Sequence, residues 1–150
     1  MLLANKYARV ANVRRENHIA VAKILVTRYD TIYVEDLDIR GLTKKQFAKS
    51  INDVAWGKFL LWLDCKAESA GRMVVKVNPS DTSNTCSRCG INVLKTLAVR
   101  VHSCPECGLV LDRDINAAVN IKALGMRVQD AKASRQTAKS VKARHPGHAR

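Results

Sequence analysis

The sequence predicts a mixed α/β protein with an inserted cysteine module, on three observations. Two β-branched and aromatic runs, residues 31–37 and 73–78, flank an apolar stretch with helical spacing. Two CxxC pairs, Cys86/Cys89 and Cys104/Cys107, follow the second run. A further helical pattern, residues 114–124, comes after the cysteines. Strand, helix, strand in this order is a βαβ unit, which implies neighbouring parallel strands joined by a right-handed crossover.

The elements follow in chain order. Residues 4–28 hold no Gly or Pro, and Val10, Val13, Ile19, Ala22, Ile24 and Val26 recur near helical spacing among Arg and Lys, so a long basic helix is expected. Residues 31–37, TIYVEDL, read as a short buried strand that ends in Glu35 and Asp36. Residues 38–49 are a polar loop with Arg40, Lys44, Lys45 and Lys49. Over residues 47–70, Trp56, Phe59, Leu60, Trp62 and Leu63 make the apolar face of a second helix, which Gly71 terminates. Cys65, inside the apolar run FLLWLDCKAE, is expected to be a buried, inert thiol. Residues 73–78 form the second strand, stopped by Pro79.

Residues 82–111 are the cysteine module, with short strands expected over 96–101 and 109–111. In the helix that follows, Ile115, Ala118, Val119 and Ile121 are available for packing and Gly125 can close it. Residues 126–150 are rich in Lys, Arg, Ala, Ser and Gln and read as a disordered or loosely helical basic tail. The organisation is therefore a core part over 1–81, the module over 82–111, a last core helix over 112–125 and the tail over 126–150.

Composition narrows the function. The chain has 150 residues, enough for one ordinary domain or a small domain with an insertion. Its 26 Lys and Arg against 13 Asp and Glu give a net charge of +13, which calls for a polyanionic partner, with nucleic acid the leading class. A basic membrane-surface helix fits less well, because the apolar residues are spread along the chain. No apolar run is long enough to span a bilayer, and residues 1–17 have scattered charges and no signal-peptide pattern, so an intracellular protein is expected.

In a reducing compartment the spacing C-x2-C-x14-C-x2-C reads as a closed four-thiolate zinc site, not a disulfide framework. Gly90 and Gly108 follow the second cysteine of each pair, where a left-handed residue lets the turn close. Four sulfur ligands leave no open position, so such an ion is structural. His102, two residues before Cys104, is expected on a ribbon strand or surface, since four thiolates already complete the shell. Glu35 at a strand end and Asp114 at a helix start would converge at one end of a sheet and could hold Mg²⁺ for phosphodiester hydrolysis. Spacing alone leaves open the plainer readings, solvated acids or Asp114 as the cap of its own helix.

The strings TSNTCSRCG, CPECG and above all LDRDINAAVNI, with VEDL and DVAWGKFLLWLDCKAESAG upstream, resemble the TnpB/OrfB-type transposon-encoded proteins. These are compact relatives of the type V CRISPR effector nucleases, and the likeness runs over residues 5–125. The resemblance implies a partial RNase H-like (RuvC) fold with an inserted zinc ribbon, acting on DNA with a guide RNA and Mg²⁺ in a prokaryotic cytoplasm at the nucleoid. It makes Glu35 and Asp114 the metal-binding catalytic carboxylates, with Asp36 and Asp112 as neighbours or surface groups. Asn116 and Asn120 could position a carboxylate or a phosphate, with capping or solvated roles equally open.

The sequence departs from the family pattern in one respect. The first RuvC motif, with its Asp beside glycines, is not found in these residues, and the only Asp before VEDL is Asp30. A truncated carboxy-terminal fragment is therefore expected, lacking one catalytic carboxylate and exposing a sheet edge and apolar surface. Three functions are open: a DNA-binding fragment without autonomous cleavage, an endonuclease completed by another chain, and a nuclease-dead DNA-binding regulator. Arg14, Arg15, Arg40, Lys44, Lys45 and Lys49 are the candidate phosphate contacts.

Overall fold

The computed structural model describes residues 2–38, 55–96 and 98–143, with side chains of the last helix described as far as residue 135. The chain forms two compact units, Met1–Val75 and Lys76–Arg150. The expected loop contacts Arg40, Lys44, Lys45 and Lys49, and the part of the second helix expected before residue 55, lie outside the described residues.

In the first unit, helix α1 (Leu2–Arg28) leads into strand β1 (Thr31–Glu35), and helix α2 (Trp56–Ser69) leads into strand β2 (Met73–Val77). β1 and β2 pair as a two-stranded sheet, so the strand–helix–strand pattern does bring its strands together. α2 turns into β2 through a Schellman cap. Gly71, at φ +64°, lets its N–H reach Glu68 O at 3.1 Å and the Arg72 N–H reach Ala67 O at 2.7 Å. Arg72 then ties the corner to α1, donating to Val26 O at 3.3 Å and pairing with Asp30.

The core of this unit is small. Ala22 and Val26 of α1 meet Leu63 and Ala67 of α2, and Leu25, Ile32, Val34, Phe59 and Val74 surround them. Leu63 and Ala67 are one helical turn apart, as are Ala22 and Val26, so each helix presents a single short stripe. His18 packs edge-on against Phe59 with ring centroids 5.6 Å apart. The apolar residues expected to pack on α1 are used only in part: Ala22 and Val26 are buried, while Val10, Val13 and Ile24 are exposed, because α2 covers only one side of a helix about twice its length. Cys65 is also exposed, not buried, since it lies two residues beyond Leu63 and so off the packed stripe.

The second unit consists of strands β3 (Val101–Ser103) and β4 (Val110–Asp112) and helix α3 (Arg113–Ala143). β3 and β4 are antiparallel, with His102 opposite Leu111. The first ribbon strand thus begins at Val101 and not at residue 96. α3 runs through Gly125 without a break. An interior Gly costs a helix only about 1 kcal/mol, and good helix formers follow it with no Pro before residue 146. The expected packing face of α3 is turned to solvent: Ile115 and Val119 are about half exposed, while Asn116 is fully buried. Among the described residues no helix is long and apolar enough to cross a membrane.

Leu63→Ala should destabilise the first unit by about 2–4 kcal/mol, because it empties the centre of a four-residue core. Val10→Ala should change stability by less than about 0.5 kcal/mol. Urea unfolding followed by tryptophan fluorescence checks both, as Trp56 and Trp62 lie on α2.

Candidate metal centre

Two turns of the same construction face one another in the second unit. In the first, the Cys86 N–H donates to Ile91 O at 2.8 Å and the Gly90 N–H donates to Cys86 O at 2.9 Å. In the second, the Cys104 N–H donates to Leu109 O at 2.9 Å and the Gly108 N–H donates to Cys104 O at 3.0 Å. Gly90 and Gly108 stand at φ +80° and +70°, the left-handed conformation that lets each CxxCG segment fold back. A bridge between Thr85 and Asn92 closes the neck of the first turn, and β3 with β4 closes the second.

The two turns place all four sulfurs within 4.8 Å of one another. Cys86 and Cys107 are 3.6 Å apart, and Cys89 and Cys104 are 3.5 Å apart. These are not disulfide distances, which are about 2 Å. They approach the edge of a tetrahedron of sulfurs around an ion at 2.3 Å, about 3.8 Å. The donor set and its spacing fit a divalent ion, and the four cysteines could hold one. Among the described residues no other group of three His, Cys, Asp or Glu side chains is placed to share an ion.

Four sulfurs this close cannot all carry charge without a cation between them, so protons are shared unevenly. Burial pushes the Cys86 thiol up, but the N–H groups of Cys89 and Arg88 and the His102 side chain outweigh it and bring the value to about 5. Cys104 is also lowered, chiefly by the Cys107 N–H. Cys89 is pulled down by the Ile91 N–H, yet burial and the neighbouring sulfurs of Cys104, Cys86 and Cys107 together raise it to about 12. For Cys107 the Leu109 N–H acts downward, and burial with Cys104 and Cys86 prevails and raises it. His102 is fully buried in β3, beside Cys86 and against Lys95, so the expected strand position holds and the surface position does not. Burial holds the Lys95 ammonium below its ordinary value, and the Arg113 charge adds to this.

The helix that follows is fastened to the first turn and to the segment before β3. Asp112 caps α3, its carboxylate accepting from the N–H groups of Asp114 at 2.8 Å and Ile115 at 3.2 Å. The capping role open to Asp114 therefore belongs to Asp112, and Asp114 stands exposed in the first turn. Asn116 accepts from the Ser87 N–H at 2.9 Å and donates to Thr85 O at 2.8 Å, one bond on each side of Cys86. Asn120 donates to Thr82 O at 2.8 Å and Thr85 O at 2.7 Å. Neither asparagine is a cap, and Asn116 is shut off from solvent. Arg113 bonds the segment before β3, its N–H reaching Arg100 O at 2.8 Å and its guanidinium reaching Thr96 O at 3.2 Å.

The other sequence candidates lie in the first unit. Glu35 is half-buried at the end of β1, with Asp36 exposed just after it. Arg14 is half-buried and lines a cleft of about 380 Å³ with Lys58 and Trp62, while the neighbouring Arg15 pairs with Glu16 at 3.1 Å. A second basic cleft, of about 450 Å³, was not signalled by any charge run. Arg88, Arg127, Ser80 and Ser87 line it beside the first turn, and no carboxylate does. Its arginines are 39 positions apart in sequence (127 − 88) and come together only through the asparagine contacts.

The Cas12f1-like TNB domain family matches residues 56–121. A candidate RNA-guided DNA endonuclease of Streptomyces pristinaespiralis is 36% identical over 129 residues, covering 83% of this chain and 31% of the relative. A TnpB-like protein of Methanocaldococcus jannaschii is 32% identical over 128 residues, covering 79% of this chain and 46% of the relative. The chain is a TnpB/OrfB-type relative of the type V effectors. Against a solved Cas12f1–sgRNA–target DNA complex the fold agrees with a TM-score of 0.59 at 22% identity, covering 80% of this chain and 35% of that one. The chain thus spans less than half the length of these TnpB-like and effector proteins, and the matched part includes the whole four-cysteine cluster and the start of α3.

Ion binding to this TnpB-type cluster should release protons, because Cys89 and Cys107 keep theirs at neutral pH and an ion requires thiolates. With at least two protons displaced, affinity should fall about a hundredfold or more for each pH unit lost between pH 8 and pH 6. Competition against a chromophoric chelator measures it; an affinity independent of pH would contradict the assigned protonation.

Proposed function

We propose that these residues are the ribbon-bearing part of a TnpB/OrfB-type, RuvC-like nuclease core, and that they bind DNA, with a guide RNA, without cleaving it by themselves. The observation that carries the reading is the extent of the family match, which runs from α2 through all four cysteines into the turn of α3 that bears Asp114. Zn²⁺ is the ion proposed for the cluster, since four thiolates at tetrahedral spacing suit it and leave no position open for catalysis. Its role is then to hold the two turns together.

Glu35 and Asp114 are proposed as ligands of a catalytic Mg²⁺, an ion that would stabilise charge on the phosphodiester in hydrolysis. Two features favour Asp114 for this. Asp112 takes the capping role, and the exposed first turn keeps the Asp114 carboxylate open to solvent. A RuvC-type site takes a third carboxylate from the first motif, which is not found among these residues. Two carboxylates alone lose much of the transition-state stabilisation, which is why binding without cleavage is proposed for the chain as given. Relatives named as RNA-guided endonuclease and as part of an RNA and DNA complex supply the classes of partner.

Phosphate neutralisation is the proposed mode of binding. The net charge of +13 and the Arg40, Lys44, Lys45 and Lys49 of the sequence support this, and each unit carries a basic surface of its own, the Arg14 and Lys58 cleft in the first and the Arg88 and Arg127 cleft, with no aromatic lining, in the second. Such a surface follows the backbone and does not read bases.

Binding of labelled DNA across about 50 to 200 mM salt should weaken steeply, and Arg88→Gln with Arg127→Gln should reduce the log–log slope by about two at all sequences tested. Salt-independent binding would overturn the reading. The same reactions with Mg²⁺ should leave the DNA intact; cleavage that needs Mg²⁺ and disappears in Glu35→Gln would establish the active-endonuclease alternative instead.

A further inference from the structure

The two asparagines of α3 give the ribbon a second use. Unit Lys76–Arg150 has little apolar core: among its described residues the buried hydrophobic side chains are Val77, Cys86 and Cys104, and the other buried groups are Thr82, His102 and Asn116. Its order must therefore come from directed bonds. Those bonds form a closed ring. The turn of Cys104–Gly108 runs through β4 directly into α3, with no residue between Asp112 and Arg113. From α3, Asn116 and Asn120 reach across to Thr82, Thr85 and Ser87 of the other turn. The last link is the gap between the cysteine pairs, which is spanned by weak S–H···S contacts at 3.5 to 3.6 Å and by an Arg88 guanidinium donating to Cys107 O at 3.4 Å, and which an ion shared by the four sulfurs would close firmly.

Asn116 is central to the ring. It is 0% exposed, and its single amide brackets Cys86 by accepting from the residue after it and donating to the residue before it. A leucine of similar size would leave the Ser87 N–H without its acceptor and Thr85 O with the Asn120 bond alone. Asp114 lies two residues away, between the Asp112 cap and this clamp, so both ends of its turn are held by the ribbon.

We propose that Asn116 and Asn120 are positioning residues that couple an ion at the four cysteines to the order of the first turn of α3, and so to the placement of Asp114. The coupling itself stands on the ribbon geometry; its consequence for Asp114 rests on the reading of that residue as a Mg²⁺ ligand. Filling the cysteine cluster fixes the first turn, the asparagines pass that fixity to α3, and emptying it frees the turn to open with the ring broken. Linkage requires the reverse effect as well: cutting the clamp must weaken the ion's binding by the factor that the ion stabilises the turn.

The test is amide hydrogen exchange on the full chain, loaded with one equivalent of Zn²⁺ and then stripped with a chelator. In the unsubstituted chain, stripping should speed exchange over residues 114–118 by about tenfold or more. In Asn116→Leu those amides should exchange at the faster rate even with Zn²⁺ bound, while Val101–Ser103 stay protected, and Zn²⁺ affinity should fall by a similar factor. A role in overall stability alone would speed both segments together and overturn the proposal. So would exchange at 114–118 that ignores Zn²⁺. Should Asn116→Leu fail to fold, Asn120→Ala, which leaves both Asn116 bonds in place, should show the same pattern with a smaller change, and no change there would also overturn it. If the coupling is found but Asp114→Asn leaves Mg²⁺ binding untouched, the reading of Asp114 falls and the clamp stands.

Discussion

Bringing four cysteine sulfurs within 4.8 Å of one another incurs a repulsion that protons offset in part and a divalent ion offsets fully, and the second unit is arranged around that cluster. A segment with so few buried apolar side chains cannot be held by hydrophobic burial alone. What it has instead is two matched CxxCG turns, two short strands, and a helix that follows β4 directly and is fastened to the first turn through Asn116 and Asn120 and to the segment before β3 through Arg113. An ion at the cysteines completes this framework, in the way that a small metal-bound domain substitutes coordination bonds for a core.

The first unit follows the opposite logic. Its few buried side chains are aliphatic: Ala22, Val26, Leu63 and Ala67 come from two helices and Val75 from β2, and a two-stranded sheet lies against the helical cluster. Much of α1 is left uncovered, with Leu2, Leu3, Tyr7, Val10 and Val13 all more than half exposed.

How much of this was legible in sequence depended on how local the determining physics is. The cysteine turns were legible because a CxxCG segment sets its own geometry, with the glycine at positive φ supplying the return. The apolar face of α2 was legible in part for a similar reason, since Phe59 and Leu63 of the expected face do pack in the core, where the structure adds Ala67 one turn on. α1 and α3 misled because periodicity reports what could be buried and not what a partner covers: Val10 and Ile115 have the right spacing and face solvent. Cys65 was misjudged by the same route. The end of α3 was misplaced because Gly125 is a weak stop when helix formers follow it.

The least legible part of the site was the polar side of α3. Asn116 and Asn120 stand out only as two asparagines four residues apart, a spacing that puts them on one helix face, and nothing local says that this face turns inward. Their partners, Thr82, Thr85 and Ser87, lie some thirty positions back and are reached through backbone atoms, which carry no sequence signal. The central claim, that the second unit is held together by an ion at the four cysteines, is tested most directly by urea unfolding at a series of buffered free Zn²⁺ concentrations, followed by the helix signal. The account predicts that stability rises by about 1.4 kcal/mol for each tenfold increase in free Zn²⁺ above the dissociation constant. An unfolding curve that stays the same from chelator to saturating Zn²⁺ would contradict it.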